Sequence, residues 1–93
     1  MPLGPDDRVR VSDQVVFRSI GGEAVLLHLD RGVYFGLDPI GSRVWDALVE
    51  HGCARPVLAA VVEEYEVTEE ALVGDVTRLL DELADNGLIE RHP

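Results

Sequence analysis

The apolar residues of this chain change their period once, at Asp38-Pro39, and that single change dictates the order of its architecture. Before it they come in short runs rich in β-branched and aromatic residues, bounded by glycine turns, as in strands, and after it they recur every three or four residues, as on one face of a helix. Val15–Ile20, Gly21-Gly22 and Ala24–Leu29 read as a β-hairpin, because a glycine pair supplies the positive φ angles of a tight two-residue turn. Asp30-Arg31-Gly32 is the next turn, and Val33–Leu37, rich in β-branched and aromatic residues, makes the third strand of a meander. Upstream, Arg8-Val9-Arg10-Val11 alternates over a segment long enough for a short strand, its pairing left open.

Past the change, Asp38 stands at a helix N-cap and Pro39 at the first helical position, where a missing N–H costs nothing. Ile40, Val44, Trp45, Leu48 and Val49 form one stripe that places Trp45 in the core, and Gly52 ends the helix. A second helix over residues 56–65 presents Val57, Leu58, Val61, Val62 and Tyr65. Thr68 caps a third and longest helix, Glu69 and Glu70 suit the positive end of its dipole, and Asn86-Gly87 stops it before Leu88 and Ile89 fold back. Residues 1–7, with Pro2, Gly4, Pro5, Asp6 and Asp7, predict a flexible N-terminus, and 8–93 a single domain. The expected class is α+β, a three-stranded antiparallel sheet followed by three helices.

The third helix carries more apolar surface than one contact requires. Leu72, Val76, Leu79 and Leu83 recur at spacings of four, three and four and suffice as a core stripe. Val73, Thr77, Leu80 and Ala84 form a second, milder band beside it. Either the other helices and the Leu88-Ile89 tail cover that band, or it lines an open groove. Gly74, which costs roughly 1 kcal/mol against alanine in a helix interior, either admits a neighbouring backbone or marks ordinary surface.

Charge and motif content narrow the function. Eighteen acidic residues against eight basic ones give a net charge of -10, and all eight basic residues are arginine. Such a surface argues against a nucleic-acid partner. The longest apolar stretches fall far short of a bilayer span, so no membrane role is expected. The N-terminus lacks the basic and apolar regions of a secretory signal, which predicts a cytoplasmic protein. Cys53 has no partner for a disulfide or a structural metal site, and His28, His51 and His92 show no ligand spacing. No phosphate-binding glycine loop or nucleophile elbow is present, His51 and Cys53 lie two apart with no assured common orientation, and Glu63-Glu64 and Glu69-Glu70 read as solvated helix faces. The expectation is a non-enzyme without metal or cofactor.

The run from Glu23 to Glu90 resembles the PqqD-like family. Leu29-Asp30, Gly32, Tyr34, Leu37, the capping Asp38, Gly41, Trp45, Asp75-Val76, Leu83 and Gly87-Leu88 carry the resemblance in order. Asp38 departs from the asparagine frequent there, though either residue caps a helix. The resemblance implies a winged-helix-like recognition element that binds the leader of a ribosomally made precursor peptide, without catalysis of its own. The pattern around Leu29-Asp30 and Tyr34-Phe35 is most similar to discrete elements of lasso-peptide pathways, whose partner is a cysteine-protease-like leader peptidase or another modifying enzyme. Alternatives are a chaperone presenting its peptide to a radical enzyme of pyrroloquinoline quinone synthesis and, against the charge, a winged-helix DNA-binding module.

The residues themselves supply a mechanism. Strand 33–37, last in the meander, is an edge to which an extended peptide can add by β-augmentation, and Gly36 keeps that edge open. The expected leader-binding residues are Val33, Tyr34, Phe35, Gly36 and Leu37 on the strand and Val73, Val76, Thr77 and Leu80 on the third helix. Asp75, placed on that helix by the resemblance, either accepts a hydrogen bond from the leader or ties the helix to its neighbours. The acidic surface predicts faster encounter with basic partners at low salt.

Overall fold

The computed structural model describes residues 3–92. Strands β1 (Val9–Val11), β2 (Val15–Ile20), β3 (Glu23–His28) and β4 (Val33–Gly36) precede helices α1 (Pro39–His51), α2 (Arg55–Tyr65) and α3 (Glu69–Asp85), and β5 (Ile89–Arg91) follows. The three-stranded antiparallel sheet runs β2-β3-β4, so both β2 and β4 are edges. The architecture is therefore α+β in the predicted order. Gly21 and Gly22 take φ of 58° and 83° in the β2–β3 turn, the doubly positive geometry that a two-residue hairpin needs.

The helix ends follow the capping chemistry. Asp38 accepts the Gly41 N–H at 2.7 Å, and Thr68 Oγ1 accepts the Ala71 N–H at 3.1 Å. Gly52 and Gly87, both left-handed, close α1 and α3. Trp45, fully buried, belongs to the same core cluster as Leu26, Leu48 and Leu83, and meets the Phe17 ring edge to face at 5.5 Å.

Two features were not read from the sequence. β1 pairs antiparallel with β5, so the alternating Arg8–Val11 segment and the Leu88-Ile89 tail are mates in a second, two-stranded sheet. A pairing across almost the whole chain has no local signal. The second concerns the N-terminus, expected to be flexible over residues 1–7, of which the first two lie outside the described residues. Residues 3–7 are packed: Leu3 is 5% exposed, and its N–H donates to Asp81 on α3 at 3.0 Å. The Pro5 carbonyl accepts from Ala54 and Arg55 at the start of α2, and Arg55 pairs with Asp6. One buried leucine and a docked proline carbonyl outweigh a local composition that favours turns.

Gly74 admits no neighbouring backbone. A Cβ there would meet only the Arg78 side chain, at 3.8 Å.

A groove between the sheet edge and the third helix

Pairing register decides which backbone groups of β4 are available. Leu37 N–H donates to the Ala24 carbonyl at 2.9 Å, one step beyond the Gly36–Val25 pair. In an antiparallel ladder the positions that exchange hydrogen bonds alternate. Val33 and Phe35 therefore direct their backbone groups to β3, and Tyr34 and Gly36 present their N–H and C=O groups to the open edge. Gly36 has no positive φ, and a Cβ there would meet nothing within 4 Å, so its value lies in the free edge rather than in an unusual backbone.

Beside this edge runs a groove. Phe35, Gly36 and Leu37 form its strand side, Ile40, Gly41 and Val44 of α1 its end, and Asp75, Val76, Leu79 and Glu82 of α3 the opposite wall. Phe35 shares the inward row with Leu26 and Phe17, which aims its ring toward the helices. At the other end of β4 the Arg31 guanidinium lies over Gly87, where a Cβ would stand 2.9 Å from it, and reaches the Asp85 carbonyl at 3.5 Å. That contact ties the β3–β4 loop to the end of α3 and holds strand and helix in a fixed relation.

The structure brings together Phe35, Gly36, Leu37, Asp75 and Val76 of the expected site. Tyr34 is 72% exposed and points its ring to the outer face of the sheet, so only its backbone borders the groove. Val33, at the strand's start, is exposed on the inward row. The helix residues divide differently from expectation. Leu80 is 1% exposed and belongs to the core, Val73 packs against the core, and the Thr77 hydroxyl donates to the Val73 carbonyl at 2.8 Å. None of these three lines the groove.

Leu79 and Leu80 have exchanged roles. The buried side of α3 is Leu72, Val76, Leu80 and Leu83, and the groove flank is Asp75, Leu79 and Glu82, at spacings of four and three. Two leucines adjacent in sequence sit about 100° apart on a helix, and both fit a core stripe through Leu72 and Val76. The signal that separates them is the company they keep: Leu79 shares its flank with two carboxylates, and Leu80 is flanked by Val73 and Ala84. The opposite, milder band needs no ligand, because Val73 and Ala84 pack against the core.

The groove is apolar at its floor and acidic at its rim. Asp75 pairs with Arg78 on its own helix, which leaves neighbouring elements untied by it. Glu82 makes no side-chain hydrogen bond or ion pair among the described residues. Among these residues no three His, Cys, Asp or Glu side chains converge in a way that would hold a metal ion. His28 is buried in the turn, its Nδ1 accepting the Arg31 N–H at 3.2 Å, and stands apart from the exposed His51. No helix among them is long and apolar enough to cross a membrane.

The chain is similar to known proteins. The family model for coenzyme PQQ synthesis protein D matches residues 23–89, from β3 through all three helices. No curated protein matches the chain. Among solved structures, TbiB1 in complex with the TbiA(beta) leader peptide is similar at 39% identity and a TM-score of 0.80, over 90% of this chain and 98% of that one. On the strength of both comparisons, this chain belongs to the PqqD family.

Proposed function

We propose that the domain binds the leader of a ribosomally made precursor peptide by strand addition to β4 and presents it to a maturation enzyme, doing no chemistry itself. One observation carries the reading: the outward N–H and C=O groups of Tyr34 and Gly36 stand beside an apolar groove, in a chain similar to a protein solved with a leader peptide. Main-chain pairing would hold a peptide with little regard to sequence. Selection then comes from alternate leader side chains, which enter the groove between Phe35, Val76 and Leu79 and call for apolar residues. Asp75 and Glu82 at the rim favour a basic or hydrogen-bond-donating group on the leader.

The pattern around Leu29-Asp30 and Tyr34-Phe35 supports a lasso-peptide pathway, with a cysteine-protease-like leader peptidase as the enzyme served. Service to a radical enzyme in quinone synthesis, which the matching family model's description favours, would use the same strand edge. Fluorescence anisotropy of labelled TbiA(beta) leader peptide, titrated with the wild-type domain and with Leu79→Arg, tests the reading. Saturable binding at about micromolar, on the order of -8 kcal/mol, lost in the variant, is expected. A folded wild-type domain that leaves this peptide and other precursor leaders unbound would refute it.

A further inference from the structure

The outer face of the sheet is the other surface that asks for a partner. Antiparallel sheets with one face on a core usually turn polar side chains to water. Here the outward rows are Val16–Leu27–Tyr34, Arg18–Val25–Gly36 and Ile20–Glu23. Val16, Ile20 and Tyr34 are 48%, 61% and 72% exposed, and a shallow depression joins them with Val25 and Leu27. Arg18 lies in the middle of this apolar field and makes no ion pair among the described residues, although the chain carries eighteen carboxylates.

Resting on the reading above, we infer that this face docks the maturation enzyme, through an apolar patch on the enzyme that sets a carboxylate against Arg18. Three strands about 4.8 Å apart and three rows about 7 Å apart make a patch on the order of 300 Å². That is the size of functional patches on monomers and well below the roughly 1,000 Å² per subunit of an obligate homodimer. A second copy is also the wrong electrostatic partner: each chain carries -10, and a two-fold axis through the patch centre would bring Arg18 near Arg18. A carboxylate on a different protein satisfies the cation that this domain's own acids leave unpaired.

The patch is continuous with the peptide edge. A strand added to β4 turns every second side chain to the outer face, beside Tyr34. An enzyme seated there meets domain and leader as one surface, and so favours the loaded domain over the empty one.

The test uses Val16→Gln/Ile20→Gln and Arg18→Glu, changes on β2, two strands from the leader edge. Each variant is titrated with labelled TbiA(beta) leader peptide and, separately, with the leader peptidase that acts on the same precursor, with and without leader bound. Expected are leader affinities within twofold of wild type, peptidase affinity weakened tenfold or more in both variants, and tighter peptidase binding to the loaded wild-type domain. Unchanged peptidase affinity alongside intact leader binding would overturn the inference and leave the leader reading standing. A self-associating domain that the variants dissolve, with peptidase binding intact, would overturn it in favour of a second copy. A wild-type domain that binds no leader would overturn the underlying reading, and this one with it.

Discussion

Replacing Gly36 by proline removes one outward N–H from the β4 edge. The Gly36 N–H faces away from β3, so no ladder bond within the sheet is lost, and proline is tolerated on an edge strand. In the complex, the leader carbonyl opposite this position would lose its donor. A net hydrogen bond is worth about 1 kcal/mol, and a buried acceptor left without a partner costs about 1 to 3 kcal/mol. Leader affinity should therefore fall roughly five- to 150-fold, at about 1.4 kcal/mol per decade. Gly36→Ala is the control: its N–H remains, and its Cβ enters open space, so affinity should stay within about threefold of wild type. Anisotropy titrations of the three proteins read the effect, with circular dichroism to establish that each is folded. Wild-type affinity in a folded proline variant would refute strand addition at β4.

Other consequences follow from the same geometry. Leu79→Ala should weaken leader binding measurably in the same titration while Thr77→Ala leaves it within about twofold, since Leu79 lines the groove and Thr77 spends its hydroxyl on the Val73 carbonyl. Leu3→Ala should destabilise the fold by about 2 kcal/mol, the low end for a buried leucine, seen as a lower urea midpoint; an unshifted midpoint would mean that the N-terminal segment is not docked. The Arg55 hydrogen bond holds the Asp6 carboxyl below its ordinary value near 3.8, and the Gly4 backbone N–H does the same for Asp7. Because folding depresses both, their stabilising effect is complete above that value and is lost as pH falls through the lower folded values. Amide protection of Leu3, Gly4, Asp6 and Asp7, taken relative to the intrinsic exchange rate at each pH, should accordingly fall below about pH 3.8, before that of α1 does.

The sequence displayed what is local. Periodicity, the Gly21-Gly22 turn and the Asp38 and Thr68 caps place the meander and the helices because each signal acts within a few residues of the structure it forms. The strand side of the groove was legible for the same reason: an edge strand follows from the order of the meander. The helix side was legible only in part: Asp75 and Val76 line the groove as expected, but rotation of α3 about its axis is set by tertiary packing, and a turn of about 100° decides whether Leu79 or Leu80 meets the core. β1–β5 pairing and the docking of Leu3 depend on contacts some eighty residues apart, about which neighbouring residues carry no information.

Amide hydrogen exchange of the leader-bound domain, resolved residue by residue, tests the central claim most directly. In the free protein Phe35, bonded to β3, should exchange slowly and the outward-facing Tyr34 and Gly36 quickly. Addition of leader peptide should slow Tyr34 and Gly36 selectively, leaving the amides of the opposite edge strand β2 unchanged. Saturating leader with no added protection at Tyr34 and Gly36, or with protection on β2 instead, would contradict strand addition at β4.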